Sequence, residues 1–262
     1  MKAVKFTYFW LVFLFLYMPI LLLIIFSFNS ASYSASLWEG FSLKWYIALF
    51  SNHQLLDAAL NSLILAVSAA SLATALGALT AISLYRFKFP GKGYSFAMLY
   101  IVMMSPDIIM GISLLVLFIT IKIPLGFITL LITHVTFSLP FVVVTVLARL
   151  SGFDKHIVEA SKDLGADEAA AFRYVIFPLL IPAVAAGWLL SFTLSMDDVI
   201  GSFFVTDSTY QILPLRIYAM VRLGVKPEIN ALSAILFVIS LVLVVIFQLL
   251  LRKKESTALK NR

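Results

Sequence analysis

Long apolar runs separated by short polar segments dominate the hydrophobic pattern of this chain. Each run can cross the roughly 30 Å hydrocarbon core of a bilayer, which takes about 20 helical residues. Helices are predicted because a segment in lipid must satisfy its own backbone donors and acceptors, and because the runs lack the alternation of barrel strands. The six predicted spans are Phe6–Phe28, Leu60–Leu84, Ser95–Ile121, Leu125–Leu147, Phe177–Ile200 and Ile229–Leu251.

The composition is typical of a membrane protein and excludes a soluble domain. Hydrophobic residues make up 62% of the 262 positions and charged residues only 12%. A soluble fold of this size has no interior large enough for so much apolar surface. We therefore predict an all-α integral membrane protein with six transmembrane helices. Residues 1–262 are interpreted as one transmembrane domain, with its core at about 57–251.

The distribution of basic residues predicts the orientation. If the N terminus is cytoplasmic, 14 of the 19 Lys and Arg residues fall on the cytoplasmic side, as the positive-inside rule requires. Both termini and the polar loop at 149–176 are then cytoplasmic. The formal charge of +6 thus reflects topology and attraction to anionic lipid headgroups, and it does not indicate nucleic-acid binding.

Two predicted spans carry acidic residues beside a break in the apolar pattern. Pro106, which removes a helix hydrogen bond, precedes Asp107 in the third span. Asp197 and Asp198 follow Ser195 near the end of the fifth. Because an ionisable group in a membrane costs at least about 2.5–3.5 kcal/mol on insertion scales, we predict that these three acids and Ser195 line a transport pathway. The alternatives are a helix-break cap for Asp107 and a cap of the next segment for Asp197 and Asp198.

Trp45 and Tyr46, which precede the second span, are further candidates for the pathway. Their aromatic faces would attract a cation through the ring quadrupole. Aromatic residues at this depth more commonly form the belt at the membrane interface. The sequence leaves both roles open.

The sequence contains no signature of catalysis or cofactor binding. It has no cysteine, and His53, His134 and His156 fall in different segments without metal-ligand spacing. A phosphate-binding loop, a Walker-type lysine and a nucleophile elbow are also missing from the sequence. We therefore expect a chain without catalytic residues, without a metal and without a cofactor of its own.

The polar loop carries a spaced motif that ends at the start of the fifth span. Its residues are Glu159, Ala160, Ser161, Gly165, Val175, Phe177 and Pro178. Their spacing resembles the EAA signature, E-A-A-x3-G-x9-I-x-L-P, of the permeases of ATP-binding-cassette (ABC) importers. Ser161, Val175 and Phe177 depart from this consensus.

The resemblance implies the type I importer fold and a short coupling helix that sits in a groove of an ATPase subunit. Ala160 and Gly165 allow close approach of the backbone, and Gly165 can end the helix in a left-handed turn. Glu159 offers a charged anchor, and Pro178 closes the motif. Glu168, just beyond Gly165, could brace the loop or line an inner exit.

Further segments resemble the permeases of polyamine importers. They are Met103–Ile108, Ser138–Val144, Asp163–Ala166, Leu194–Asp198, Ile212–Tyr218 and Asn230-Ala231. The resemblance implies import of spermidine or putrescine across the inner membrane by an assembly of several subunits. Besides this chain, the assembly would contain a second related permease, an ATPase dimer that uses ATP and Mg, and a periplasmic polyamine-binding protein.

Two alternatives remain open. The first is a permease of the same class for another cationic or neutral solute, such as ferric iron, thiamine or an opine. An anionic solute is disfavoured because the third and fifth spans contain no basic residue. The second alternative is a secondary transporter driven by an ion gradient, with the intramembrane acids as proton sites. The EAA motif and the lack of an evident internal repeat count against it.

Overall fold

A computed structural model describes residues 2–32, 37–153, 155–222, 227–239, 241, 242 and 245. This part of the chain is helical apart from turns, loops and one isolated antiparallel bridge between Asn29 and Phe41. The α-helices are α1 (Lys2–Phe26), α2 (Lys44–Ser51), α3 (His53–Arg86), α4 (Lys92–Met104), α5 (Asp107–Thr120), α6 (Phe127–Ser151), α7 (Lys155–Asp163), α8 (Glu168–Ala171), α9 (Phe177–Asp197), α10 (Ile200–Val205), α11 (Leu213–Arg222) and α12 (Pro227–Ile239). A π-helical turn, Phe172–Ile176, joins α8 to α9.

The chain divides into two compact units. The terminal unit combines Met1–Asp57 with Arg216–Arg262, and the core unit is Ala58–Leu215. The core unit contains α4 to α10 and most of α3. It also contains most of the residues predicted to be functional.

The described helices match the predicted spans in part. Four of them are long and apolar enough to cross a membrane, and they correspond to the first, second, fourth and fifth predicted spans: Phe6–Phe26, His53–Arg86, Phe127–Ser151 and Glu168–Asp197. The pair α4 and α5 adds a fifth if the two count as one bent span. The sixth predicted span, Ile229–Leu251, begins within α12, and most of its remainder lies outside the described residues.

The third predicted span is broken where the sequence predicts a break. α4 ends at Met104, α5 begins at Asp107, and the two helices are bent by 110°. Ser105 and Pro106 are both extended, with ψ of 136° and 133°. Pro106 lacks a backbone donor and pushes the preceding residue out of the helical region. The structure thus confirms the break at Pro106 and shows two helices in place of one continuous span.

Two glycines of the core unit pack closely on Val142 of α6, which has no exposed surface. A Cβ atom added at Gly77 of α3 would lie 2.8 and 2.9 Å from two side-chain atoms of Val142, and one added at Gly187 of α9 would lie 3.2 Å away. Small residues at such positions let membrane helices approach closely. The two glycines therefore allow α3 and α9 to pack on the same residue of α6.

Replacing Gly77 by alanine should test this packing. Gly77→Ala is expected to destabilise the core unit by about 1–3 kcal/mol, because the added methyl group overpacks a side chain that cannot move away. The measurement is the thermal midpoint Tm of the purified protein. Gly93→Ala in α4 is the matched control, since nothing lies within 4 Å of a Cβ there. Equal Tm values for the two variants would contradict the packing argument.

The short helix α10 is held against α5 and α6. A Cβ added at Gly111 of α5 would lie 2.8 Å from the ring of Phe204 and 3.5 Å from the Cα of Gly201. The Thr129 hydroxyl of α6 donates to the carbonyl of Val205 at 2.7 Å. These contacts hold α10, which follows the end of α9, against the first turns of α5 and the start of α6.

Candidate functional site

An acidic cavity of about 370 Å³ lies where α5 begins, α6 passes and α9 ends. Four of the predicted pathway residues line it: Asp107, Ser195, Asp197 and Asp198. The other residues of its lining are His134, Phe137, Ser138, Phe141, Leu194, Val199 and Ile200. Three carboxylates therefore share one space whose lining, in the described part of the chain, includes no Lys or Arg.

Asp107 and Asp197 present carboxylates that have no polar partner among the described residues. Asp107 is the first residue of α5 and is exposed. The break at Pro106 places its side chain at the start of a helix, where the helix dipole stabilises a negative charge. Asp197 ends α9 and is also exposed. Both carboxylates are thus available to a ligand in the cavity.

Asp198 is bound more firmly than the other two acids. Its Oδ1 accepts the Gly201 amide at 3.1 Å, and its Oδ2 accepts the Ser202 amide at 2.7 Å and the Ser202 hydroxyl at 2.6 Å. These bonds satisfy amides at the start of α10 that have no partner within the helix. The capping role left open by the sequence is therefore seen for Asp198, which nonetheless also lines the cavity.

His134 is a site residue that sequence reasoning missed. It is 2% exposed, and its Nδ1 lies 2.6 Å from the Ser195 hydroxyl and its Nε2 2.8 Å from the Ser202 hydroxyl. Nε2 is also 3.5 Å from Oδ2 of Asp198. The sequence analysis considered His134 only as a metal ligand and found no ligand spacing around it. Among the described residues there is no cluster that could hold a metal ion. The signal that could have found it is an ionisable side chain in an apolar span.

Two aromatic rings add apolar surface to the cavity. Phe137 and Phe141 lie one helical turn apart on α6, so both can face the same space. Aromatic faces accommodate methylene groups and attract cations. The cavity can therefore receive a ligand that is cationic in some parts and apolar in others.

The structure places Trp45 and Tyr46 in the terminal unit, on α2, and not with the lining of the acidic cavity. The Trp45 indole donates to the carbonyl of Asn29 at 2.9 Å, and the Tyr46 hydroxyl lies 2.7 Å from that of Ser27. The Lys44 ammonium group sits 4.6 Å from the centre of the Trp45 ring. These polar groups and this ring face are engaged within their own unit.

The polar loop forms α7, which contains the first part of the EAA-like motif. The helix ends in a Schellman turn, in which the Ala166 amide donates to the carbonyl of Ser161 at 3.0 Å and the Gly165 amide to that of Lys162 at 2.8 Å. Gly165 has a φ of +88°, which is the left-handed conformation predicted for it. Asp154, also in the loop, lies outside the described residues.

Gly165→Ala should loosen this helix end. Nothing lies within 4 Å of a Cβ at Gly165, so the expected cost of about 1–2 kcal/mol comes from the backbone conformation alone. Hydrogen exchange of the amides at 164–166 should become faster, with asparagine at this position intermediate between glycine and alanine. Gly152→Ala is the control, because Gly152 has a φ of −90° and its Cβ would meet its nearest atom at 3.7 Å. Equal exchange in the two alanine variants would contradict this explanation.

Glu168 braces the polar loop, one of the two roles that the sequence left open. Its carboxylate pairs with Arg86 at the end of α3 and with Lys162 of α7, the latter at 3.6 Å. These partly exposed pairs contribute about 0–1 kcal/mol each. Glu168, Arg86, Lys162 and Glu159 are the charged residues lining a second cavity of about 330 Å³. Glu168 therefore links α7 to α3 by two ion pairs beside this cavity.

The start of α9 follows directly from the loop. Asp167 caps α8 by accepting the amide of Ala170 at 2.7 Å, and the π-helical turn then leads into α9. Pro178 is the second residue of α9, separated from the end of the π-helical turn by one residue, and it has no backbone donor for a helical hydrogen bond. The end of the motif thus lies at the base of the helix that carries Ser195 and Asp197.

Several apolar helices of membrane-spanning length indicate a polytopic membrane protein. The family described as binding-protein-dependent transport system inner membrane component matches residues 73–255. The chain belongs to this family and is a transport component of the inner membrane.

Relatives of known function cover nearly the whole chain. The spermidine/putrescine transport system permease protein PotC of Escherichia coli (strain K12) is 57% identical over 245 residues, covering 94% of this chain and 92% of the relative. The protein of the same name from Haemophilus influenzae is 54% identical and covers 95% and 96%. The putrescine transport system permease protein PotI of Escherichia coli (strain K12) is 38% identical and covers 86% and 82%.

Solved structures show the same fold at low sequence identity. A bacterial ABC transporter involved in the import of the acidic polysaccharide alginate matches with a TM-score of 0.71 and 15% identity, covering 96% of this chain and 95% of that chain. An amino acid ABC transporter crystallised with histidines matches with a TM-score of 0.63 and 18% identity, covering 80% and 98%. The core of this chain therefore has the fold of ABC importer permeases.

Proposed function

We propose that this chain is the permease subunit of an ATP-driven importer that moves the polyamines spermidine and putrescine across the inner membrane. The observation that carries this proposal is the acidic cavity, which combines three carboxylates and two phenylalanine rings with no Lys or Arg in its described lining. A polyamine is a chain of ammonium groups separated by methylenes. Carboxylates accept charge-assisted hydrogen bonds from the ammonium groups, and ring faces suit both cations and methylenes.

The three acids of the cavity have different roles in this proposal. Asp107 and Asp197 contact the ammonium groups, since their carboxylates have no other polar partner in the described chain. Asp198, held by the start of α10, contributes negative charge, and Ser195 adds a hydroxyl. Trp45 and Tyr46 remain candidates for aromatic contacts to the substrate elsewhere along its path.

The complete importer contains more than this chain. The proposed assembly has a second related permease, a periplasmic polyamine-binding protein, and an ATPase dimer that binds ATP and Mg. The chain crosses the membrane six times as one domain, with both termini and the loop at 149–176 in the cytoplasm. The family membership of the chain supports these partners in general, because its name specifies dependence on a binding protein.

The polar loop couples the ATPase to the pathway in this proposal. α7 offers Glu159, whose side chain is 68% exposed, and the turn that follows it offers Leu164, an apolar residue that is 90% exposed. Ala160, Ser161 and Gly165 shape the docking helix. Closure of the ATPase would move α7, and through Pro178 and the base of α9 it would switch the acidic cavity between outward and inward access.

Transport by the reconstituted assembly tests the proposal. Vesicles containing this chain, its partner permease and the ATPase should take up labelled spermidine or putrescine when binding protein and ATP are supplied. Labelled thiamine serves as the competing solute, and vesicles containing this chain alone should take up neither. ATP-independent uptake by the chain alone would favour a secondary transporter. Thiamine uptake without polyamine uptake would overturn the assignment of polyamines as the substrates.

A further inference from the structure

The Ser195 hydroxyl has a different kind of hydrogen-bond partner from other hydroxyls on α5 and α9. Many serine and threonine side chains donate to the carbonyl one turn earlier, as Ser113 does to Ile109 and Thr193 does to Leu189. Ser195 instead contacts His134 on another helix at 2.6 Å. The Ser195 hydroxyl therefore takes part in a tertiary hydrogen bond.

The hydrogen bonds of His134 continue through Ser202 to Asp198, and Asp198 fixes their direction. The Ser202 hydroxyl donates its single proton to Oδ2 of Asp198 at 2.6 Å, and the same oxygen accepts the Ser202 amide at 2.7 Å. The Ser202 oxygen can then only accept from Nε2 of His134, which lies 2.8 Å away. His134 therefore carries a proton on Nε2.

The remaining ring nitrogen decides the role of Ser195. The His134 side chain has no exposed surface, and a buried imidazolium would require the desolvation of a charge. In the neutral ring with a proton on Nε2, Nδ1 is an acceptor. The Ser195 hydroxyl then donates its only proton to Nδ1, and only the lone pairs of its oxygen face the acidic cavity.

We propose that His134 is a positioning residue that makes Ser195 an obligate hydrogen-bond acceptor for the ammonium groups of the substrate. This inference rests on the proposed polyamine transport. It adds His134 to the site and assigns the direction of the hydrogen bond between Ser195 and the substrate. A directed chain of bonds runs from Ser195 through His134 and Ser202 to Asp198. A donor-only ligand such as an alkylammonium ion fits this hydroxyl, whereas an acceptor such as a carboxylate or phosphate does not.

The protonation of the ring can be measured directly. In the assembled importer labelled with 15N-histidine, the two ring signals of His134 are those that disappear in the His134→Gln variant. Their shifts should show a protonated Nε2 and an unprotonated, hydrogen-bonded Nδ1. A proton on Nδ1, either in the other neutral tautomer or in the imidazolium ion, would overturn the proposal. This readout does not depend on transport.

Rescue by a conservative variant tests the effect on transport. The amide of His134→Gln can donate to Ser202 and accept from Ser195, so spermidine uptake should stay within about threefold of the parent. His134→Leu can do neither, and uptake should fall about tenfold, as expected for a lost hydrogen bond to a charged group. Thr133→Val is the matched control on α6, because Thr133 is fully buried and its hydroxyl has no partner among the described residues. It should leave uptake unchanged.

A double-mutant cycle separates positioning from structural support. If His134 acts through Ser195, then adding His134→Leu to Ser195→Ala should lower uptake by much less than it does in the parent. Ser191→Ala is the control background, because Ser191 lies one turn earlier on α9, is fully buried and has no polar partner in the described chain. In that background the full effect of His134→Leu should persist.

The outcomes of the cycle distinguish this proposal from the proposed function. Equal effects of His134→Leu in the Ser195→Ala and Ser191→Ala backgrounds would show that His134 only supports the fold, and would overturn the positioning role. Polyamine uptake by the parent assembly would still stand in that case. A parent assembly that transports no polyamine would instead overturn the proposed function, whereas the ring protonation measured by 15N shifts would be unaffected.

Discussion

Asp107→Asn should lower polyamine uptake by the assembled importer about tenfold or more, because a charge-assisted bond contributes about 1.5–3 kcal/mol. The substitution keeps the size of the side chain and removes only its charge. Asp107 begins α5 and has no polar partner in the described chain, so no bond within the fold is lost with the charge. Assembly with the partner subunits should therefore be unchanged. Uptake of labelled spermidine into vesicles measures the effect.

A matched carboxylate provides the control for Asp107. Asp57→Asn makes the same chemical change at an exposed position of α3 that is not part of the acidic cavity. It should leave uptake within about twofold of the parent, as is usual for surface substitutions. Normal uptake by Asp107→Asn would remove Asp107 from the pathway. An equal loss in both variants would point to the overall negative charge rather than to the cavity.

Glu159→Ala should reduce the fraction of ATPase that remains with the permease on purification by about tenfold, as expected for the loss of one charge-assisted contact. Within the chain, the contact of the Glu159 carboxylate is with His156, one turn earlier on α7, at 3.3 Å. Its side chain is 68% exposed, so its removal should leave the fold of the permease intact. Co-purification of the two subunits from membranes at low and moderate salt gives the measurement.

Asp163 supplies the comparison for Glu159 because it lies one turn further along α7 and is also exposed. Asp163→Ala removes the same charge but lies outside the first part of the EAA-like motif, so it should retain most of the ATPase. Equal losses would show that the net charge of α7 is what matters. Full retention of the ATPase by Glu159→Ala would remove Glu159 as an anchor.

Sequence reasoning was most accurate where a single local cause determines the structure. Pro106 breaks its helix because it lacks a backbone donor, and the break is where the pattern placed it. Gly165 adopts a left-handed turn because only glycine does so without steric strain. The predicted family is confirmed as well. It could be predicted because the spacing of the loop motif and the apolar runs are both visible along the sequence.

The role of His134 could not be predicted because it depends on two hydrogen bonds to residues that are distant in sequence. Ser195 is 61 positions away and Ser202 is 68, and no local pattern links a histidine to either. The capping bonds of Asp198 are local by contrast, to Gly201 and Ser202 three and four positions later, and the sequence had offered this role as an alternative. For Glu168 the sequence offered two roles, and the ion pair with Arg86, 82 positions away, supports the bracing role.

By itself the sequence determined the class of protein, its approximate spans, the break at Pro106 and the loop motif, because hydrophobic length and local backbone preference act over short distances. Only the tertiary structure decided which acids share a cavity and which of them are free. Helix packing around Gly77, Gly187 and Gly111 brings α3, α5, α6, α9 and α10 together. This packing places Asp107, Asp197 and Asp198 in one cavity and leaves Asp107 and Asp197 without a polar partner in the described chain. Such an arrangement depends on distances between helices, which a linear pattern does not contain.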